Sequence, residues 1–209
     1  MTTIWTIPQA LTAPLDDTPV IEAPFSTIIT SDRFLRTGAL GSTDAGLGGD
    51  AIVWAGDVGK FNANNGYAQP TVNTTWRLGV AQSSQLNAEQ SAIIRALPAG
   101  TTVNMDVRRQ GALTATGQAY YRLRMLDLVG YLEFYNGSAA VALNANAPFA
   151  LGDRVGVRMD GPVLSMLRND VIVASATDAT LAGAGHFNLT SVSGTPSGFQ
   201  FTDYILKQK

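Results

Sequence analysis

From about Thr27 onward the chain alternates apolar and polar residues in short runs, the period of two expected of strands with one buried face. In TVNMDVRRQG, Val103, Met105 and Val107 fall on one side and Asn104, Asp106 and Arg108 on the other. YYRLRMLD sets Tyr121, Leu123 and Met125 against Arg122 and Arg124, and DRVGVRMDG turns Val155, Val157 and Met159 inward before an Asp160-Gly161 turn. Leu164 and Met166 continue the inward set as far as Asn169-Asp170, a pair that tolerates the positive φ of a tight hairpin, after which VIVAS returns. A turn and small-residue crossing, TDATLAGAG, then leads into two closing strands, HFNLTSV and FQFTDYIL. Ser84 to Leu97 has a helical spacing, but Ile93 and Ile94 are β-branched, so the stretch reads as a loop followed by a strand. Ten to fourteen strands at this spacing predict an all-β fold of two packed antiparallel sheets.

Residues 1–26 follow a different pattern. Four of the nine prolines, Pro8, Pro14, Pro19 and Pro24, fix φ at close intervals and rule out helix or central strand. Between and beside them stand Ile4, Trp5, Ile7, Leu11, Leu15, Val20, Ile21 and Phe25, too much apolar surface for a solvated linker. The reading is an extended arm, residues 1–26, followed by a β-sandwich, residues 27–209. The arm either packs on its own domain or docks on another chain, and docking is the expectation.

Composition narrows the function. Of 209 residues, 45% are apolar and only 14% charged, and there are 21 glycines, which suits a turn-rich β domain. A net charge of −2 without any basic block argues against nucleic acid as a partner. The absence of cysteine removes disulfides, thiolate metal sites and thiol nucleophiles. The opening residues carry no basic group before Arg33 and make a poor signal peptide, and no apolar run reaches the ~18 residues of a spanning helix. Membrane insertion is not expected. The sequons at Asn73, Asn136 and Asn188 are read as products of a chain rich in Asn, Ser and Thr.

The order of hairpins from about Gln118 to Ile205 resembles the concanavalin A-like, laminin G-like jelly roll: YYRLRM, YLEFYNG, the hairpin RVGVRMDGPVLSMLRNDVIVAS, then Asp178, LAGAGHFNL and FQFTDYIL. Upstream, Asp32, Phe34, Arg36, Gly38, Leu40, Gly41, Thr43, Asp44, Gly46, Trp54, Gly59 and Asn65 look like the opening segment of jelly-roll modules in minor tail and fibre proteins of tailed phages. Phe61 stands where those modules often carry a second Trp. The resemblance implies a two-sheet jelly-roll sandwich, and its motifs specify architecture better than chemistry.

Some members of that superfamily are retaining β-glucanases, which need two carboxylates about 5 Å apart. No two acidic residues here stand two or four apart, as a pair on one strand face requires, so no catalytic residue is assigned and the chain is read as a non-enzyme. The single histidine, His186, starts a strand, and no Gly-x-Ser-x-Gly elbow accompanies it. The resemblance also raises calcium, for which Asp153, Asp160 and Asp178 are the loop-placed candidates. No dense Asp-x-Asp-x-Asp loop exists, Asp178 is equally a turn residue bonding its own backbone, and neither metal nor cofactor is expected. Glycan binding needs exposed aromatic faces beside polar side chains. Tyr131, Glu133 and Tyr135 on one strand face, Arg122 and Arg124 on its neighbour, and Trp76 are the candidates, with core placement of the tyrosines as the competing reading.

The expectation is therefore a structural protein of a phage or phage-like virion, assembled in the host cytoplasm. Its arm docks on other virion proteins, it repeats as a homo-oligomer within an assembly, and its jelly roll meets host-surface polysaccharide. The alternatives are a free carbohydrate-binding or adhesion module and a polysaccharide-cleaving enzyme.

Overall fold

The computed structural model describes residues 25–40, 47–81, 85–112 and 116–209. The arm residues Ile4, Trp5, Ile7, Leu11, Leu15, Val20 and Ile21, and Gly41, Thr43, Asp44 and Gly46 of the opening motif, lie outside the described residues.

In chain order the strands are β1 (Thr27–Asp32), β2 (Thr37–Ala39), β3 (Asp50–Ala51), β4 (Trp54–Gly56), β5 (Phe61–Asn64), β6 (Ala68–Pro70), β7 (Trp76–Val80), β8 (Ala88–Ala96) and β9 (Thr102–Arg109). They continue as β10 (Ala119–Leu126), β11 (Val129–Asn136), β12 (Ala140–Pro148), β13 (Arg154–Asp160), β14 (Val163–Arg168), β15 (Val171–Thr177), β16 (His186–Ser193) and β17 (Gln200–Gln208). Two short 3-10 turns are the only helical elements among the described residues, and no helix there is long and apolar enough to cross a membrane. Within the stretch expected as loop and strand, Ala88–Ala96 form a strand, β8, and Gln85–Asn87 ahead of it are not helical, while Ser84 lies outside the described residues.

One sheet has ten strands, ordered β15-β14-β13-β8-β17-β6-β5-β2, with β1 pairing β17 and β3. The other has seven, ordered β12-β11-β10-β9-β16-β7-β4. Every pairing is antiparallel except the short contact of β1 with β3. The inward residues named above form the core: Val103, Met105, Val107, Tyr121, Leu123, Met125, Val155, Val157, Met159, Leu164 and Met166 are all fully buried. The hairpin at Asn169-Asp170 has φ of 53° and 65°, the pair of positive angles that a two-residue turn demands. One polar side chain crosses the core: Gln90 on β8 donates to the Asp106 carbonyl at 2.6 Å and accepts from the Tyr204 hydroxyl at 3.0 Å. It supplies a donor where β9 and β16 lose register between His186 and Asn188.

The opening motif has a physical reason in this frame. Asp32 is fully buried at the end of β1, and its carboxylate accepts from the Phe34 N–H at 2.8 Å, from Arg36 through a fork at 3.0 and 3.0 Å, and from the Trp54 indole at 2.8 Å. Phe34 takes a positive φ of 57° to turn back over this carboxylate and stacks on Trp54, with ring centroids 6.1 Å apart. Phe61 packs edge-on against Trp76 at 4.7 Å, and Phe199 and Phe201 extend the aromatic cluster. Such pairs add about 0.5–1.5 kcal/mol each beyond the area they bury.

Two edge strands, β12 and β15, lie side by side along one flank of the sandwich. Val141 on β12 and Val171, Ile172 and Val173 on β15 are exposed there. Both strands are bulged: Val173 is the extra residue of β15, and Leu143 and Asn144, the latter at φ 55°, interrupt β12. Phe25, the arm residue that is described, sets its ring 4.7 Å from the Arg158 guanidinium on the outer face of the ten-stranded sheet, so this residue packs on its own domain. Beneath it Glu89 accepts from Arg158 at 2.6 Å and from Lys207 at 3.1 Å.

Candidate functional site

The outer face of the seven-stranded sheet gathers the polar halves of the alternating strands into rows. Strand register aligns Tyr131, Arg124, Asn104, Thr190 and Arg77 across β11, β10, β9, β16 and β7. The next row aligns Glu133, Arg122, Asp106 and Asn188. Tyr135 and Tyr120, paired in register, stack with centroids 4.9 Å apart in a third.

Arginine binds these rows together. Arg122 donates to Glu133 Oε2 at 2.7 Å through Nε, and Arg124 donates to Oε1 at 2.8 Å, so one carboxylate orients two guanidinium groups. Each of three arginines also lies over a tyrosine ring: Arg124 over Tyr131 at 4.3 Å, Arg109 over Tyr120 at 4.6 Å and Arg122 over Tyr135 at 5.6 Å. A cation over the negative face of a ring adds about 0.5–2 kcal/mol, more as water is excluded.

Arg109 reaches this face through a bulge. Arg108 has φ 50°, and β9 carries one more residue than β16 between the pairs Asp106 with Asn188 and Arg109 with His186. The extra residue rotates Arg109 onto the side of Asp106, where its guanidinium lies 3.4 Å from Asp106 Oδ2. Arg108 is turned away instead. It donates to the carbonyls of Leu86 and Leu181, both at 2.9 Å, so it does not share the outward face with Asn104 and Asp106 as strict alternation predicts. Gly185 makes room for the bulge, since a Cβ there would stand 2.4 Å from the Arg108 carbonyl carbon.

Asp106 is fully buried, and burial pushes its carboxyl up to about 7 against the opposing pull of Arg109, Arg122 and Arg77. Burial, followed by the negative charge of Asp106, likewise raises the Tyr120 phenol. Arg77 is lowered by burial and then by its neighbour Arg109. Among the described residues Asn104 Oδ1 and Asp106 Oδ1 receive no hydrogen bond, although Asn104 Nδ2 donates to Thr190 at 3.1 Å.

Beside the rows opens a cleft of about 340 Å³, lined by the charged residues Asp57, Lys60 and Arg77 together with Trp76, Tyr120 and Ser191. Trp76 is corrected by this placement. It is 2% exposed, fixed in the core against Phe61 and Phe199, and offers no ring face to solvent. Its indole N–H and the Ser191 hydroxyl have no hydrogen-bond partner among the described residues.

Of the residues singled out from sequence, Arg122, Arg124, Tyr131, Glu133 and Tyr135 are brought together on this face. Both tyrosines are half-buried on its outer side. Arg77, Arg109, Tyr120, Asn188 and Thr190 join them on this face without being candidates from sequence. Tyr120 and the Asn104 and Asp106 positions follow from the same alternation, whereas Arg109 depends on a bulge that leaves no sequence mark.

The three aspartates considered for calcium are separately engaged. Asp153 accepts from the Ala150 N–H and from Asn169, both at 2.7 Å, and those two bonds hold its carboxyl below the usual range. Asp160 pairs with Lys209 at 2.8 Å. Asp178 accepts from the Thr180 N–H at 2.8 Å, a turn closed on its own backbone, and lies 2.7 Å from the Tyr121 hydroxyl. No group of three or more metal-ligating side chains occurs among the described residues.

No family model matches the sequence, and no curated protein matches it. Solved structures do. The β-glucanase of Bacillus licheniformis aligns at 10% identity over 86% of this chain and 97% of its own, with a TM-score of 0.56. A carbohydrate binding module from Bacillus subtilis aligns at 12% identity over 74% of this chain and 95% of its own, with a TM-score of 0.52. The exoplasmic/lumenal domain of VIP36, in a form bound to Ca2+ and Man3GlcNAc, aligns at 11% identity over 76% and 84%, with a TM-score of 0.53. These neighbours are glycan-binding and glycosidase modules, and at such identities they speak for architecture. The architecture of this chain is the concanavalin A-like, two-sheet antiparallel jelly roll.

Proposed function

We propose that this chain is a glycan-binding module that holds saccharide on the outer face of its seven-stranded sheet and does not cleave it. The observation that carries the reading is the set of three arginine–tyrosine stacks on that face, one of which reaches the 340 Å³ cleft through Tyr120. Tyrosine rings offer stacking surface to sugar C–H faces, and oriented guanidinium groups donate to hydroxyl and acidic oxygens. Saccharide-binding neighbours of the same architecture support the assignment.

Binding without hydrolysis is supported by the state of the face's two carboxylates. Asp106 and Glu133 stand on alternate strands with Arg122 between them, backbones about 10 Å apart at ordinary strand spacing. Both Glu133 oxygens accept from arginine, and Asp106 is buried beside Arg109. A retaining glycosidase needs its carboxyl groups about 5–5.5 Å apart with one free to attack.

The setting we propose is a phage or phage-like particle. Its support is the likeness of the opening segment to tail and fibre modules, together with the apolar, proline-spaced sequence of residues 1–24. Repetition on a symmetric particle converts weak sugar contacts into avidity. A polysaccharide array tests the module. Binding that falls at least about tenfold in Tyr131→Ala and Tyr135→Ala, with no reducing ends released, is expected, and tenfold corresponds to about 1.4 kcal/mol. Undiminished binding in both variants would move the site elsewhere. Deleting residues 1–24 is expected to abolish particle incorporation and leave saccharide binding intact.

A further inference from the structure

The bulge that aims Arg109 at the tyrosine face turns Arg108 toward a second cavity, of about 290 Å³, which Arg108 lines together with Leu86, Pro162, Ala179, Leu181 and Ala182. That volume lies near the ~300 Å³ at which ligand sites begin, enough for one small organic molecule and too little for a stretch of polysaccharide. The walls come from the segment ahead of β8, the turn between β13 and β14, and the crossing between β15 and β16. Hydrogen bonds hold these walls in place. Asn87 Oδ1 accepts from the Gly161 N–H at 3.0 Å, the Asp178 N–H donates to the Pro162 carbonyl at 2.9 Å, and the Leu181 N–H donates to the Tyr121 hydroxyl at 3.1 Å.

A cation is out of keeping with so apolar a lining. Arg108 is 2% exposed, and its φ of 50° is a strained angle for a side chain other than glycine. Bulges of this kind re-aim side chains beside functional sites. A guanidinium has five N–H donors. Three of those on Arg108 go to neutral acceptors, the carbonyls of Leu86 and Leu181 at 2.9 Å and Asn87 Oδ1 at 3.3 Å, and two are left over. The carboxylate whose charge acts on Arg108 is Asp160, which is itself bonded to Lys209 at 2.8 Å. Independently of the glycan-binding reading, we infer that this cavity binds a small apolar carboxylic acid, with its hydrocarbon body against Leu86 and Leu181 and its carboxylate on the two remaining Arg108 N–H groups. A charge-assisted bond made where water is excluded is stronger than the neutral bonds Arg108 makes within the chain.

Calorimetric titration of the full chain with benzoate and with 3-methylbutanoate, each against its primary amide, tests the inference. Each acid is expected to bind at least about tenfold tighter than its amide, and acetate, which lacks the hydrocarbon body, at least about tenfold more weakly than 3-methylbutanoate. Arg108→Gln is expected to remove the preference for acid over amide. Because Arg108 also braces two loops, two rim variants that keep its bonds accompany it. Leu86→Glu, at a residue 45% exposed, sets a competing carboxylate at the mouth, and Ala182→Phe fills the cavity from an exposed position. Each is expected to weaken benzoate binding about tenfold and to leave saccharide binding unchanged. Equal affinity for acid and amide, binding of neither acid, or undiminished binding in both rim variants would each overturn the inference. None of these outcomes touches the tyrosine face, whose failure is read separately on the polysaccharide array.

Discussion

Replacing Asp32 by alanine removes four hydrogen bonds at once while adding no bulk. The Phe34 N–H and the Trp54 indole N–H would be left buried and unpaired, at about 1–3 kcal/mol each. Breaking the pair with Arg36 adds to this, though the 22% exposure of that side chain lets water replace part of the loss, so the low end of the usual ~3–5 kcal/mol applies. Because the groups are neighbours the losses overlap, and about 4–6 kcal/mol is expected, against the ~5–15 kcal/mol that a domain typically possesses. At about 2–4 °C per kcal/mol for a chain of this size, Tm should fall by about 10–20 °C. Asp32→Asn keeps one acceptor oxygen and should lose about half as much. Urea unfolding with an unchanged slope, followed by tryptophan fluorescence, measures both variants. A loss below about 1 kcal/mol in Asp32→Ala would refute the idea that this carboxylate fastens the opening segment.

Asp106 gives a pH signature. Its folded value of about 7 lies above the ordinary 3.8, so its contribution is fully present below pH 3.8 and is lost as pH rises toward 7, because the unfolded chain ionises first. Between about pH 4.5 and 7.5 the wild type should lose about 3 kcal/mol relative to Asp106→Asn, and a pH-independent difference between the two would contradict this. Gly185→Ala should cost about 1–3 kcal/mol and weaken saccharide binding as well, since its methyl group would meet the bulge that aims Arg109; a stability loss with binding intact would separate the two. Tyr121→Phe deletes the hydroxyl shared by Asp178 and the Leu181 N–H, and should cost about 1–2 kcal/mol by denaturant titration with no change in binding. Calcium at millimolar excess, or a chelator, should leave Tm within error, because Asp153, Asp160 and Asp178 are each engaged within the chain.

The strands were legible wherever one face is buried. In YYRLRM the alternation places Tyr121, Leu123 and Met125 in the core and leaves Arg122 and Arg124 outside, which is their position in the structure. Register then brought in Tyr131, Glu133 and Tyr135, since β10 and β11 form a tight hairpin whose pairing follows from its turn. Two kinds of residue escaped the pattern. Trp76 obeys the same alternation, but its surroundings depend on Phe61 and Phe199, which are distant in sequence and known only once the sheets close. Arg108 and Arg109 exchange faces because a single extra residue enters β9 opposite Gly185, and two adjacent arginines look alike to any periodicity.

The bulged flank bears on what crowding would do to such a protein. Open strands rich in valine are templates for further strands, and copies held close together would be expected to stitch into fibres. Val173 on β15 and the Leu143-Asn144 kink on β12 break the ladder of outward amides partway along each strand, so an incoming segment finds only a few matching donors before losing step. The same apolar residues can therefore stay exposed at high local density without propagating a sheet from one copy to the next.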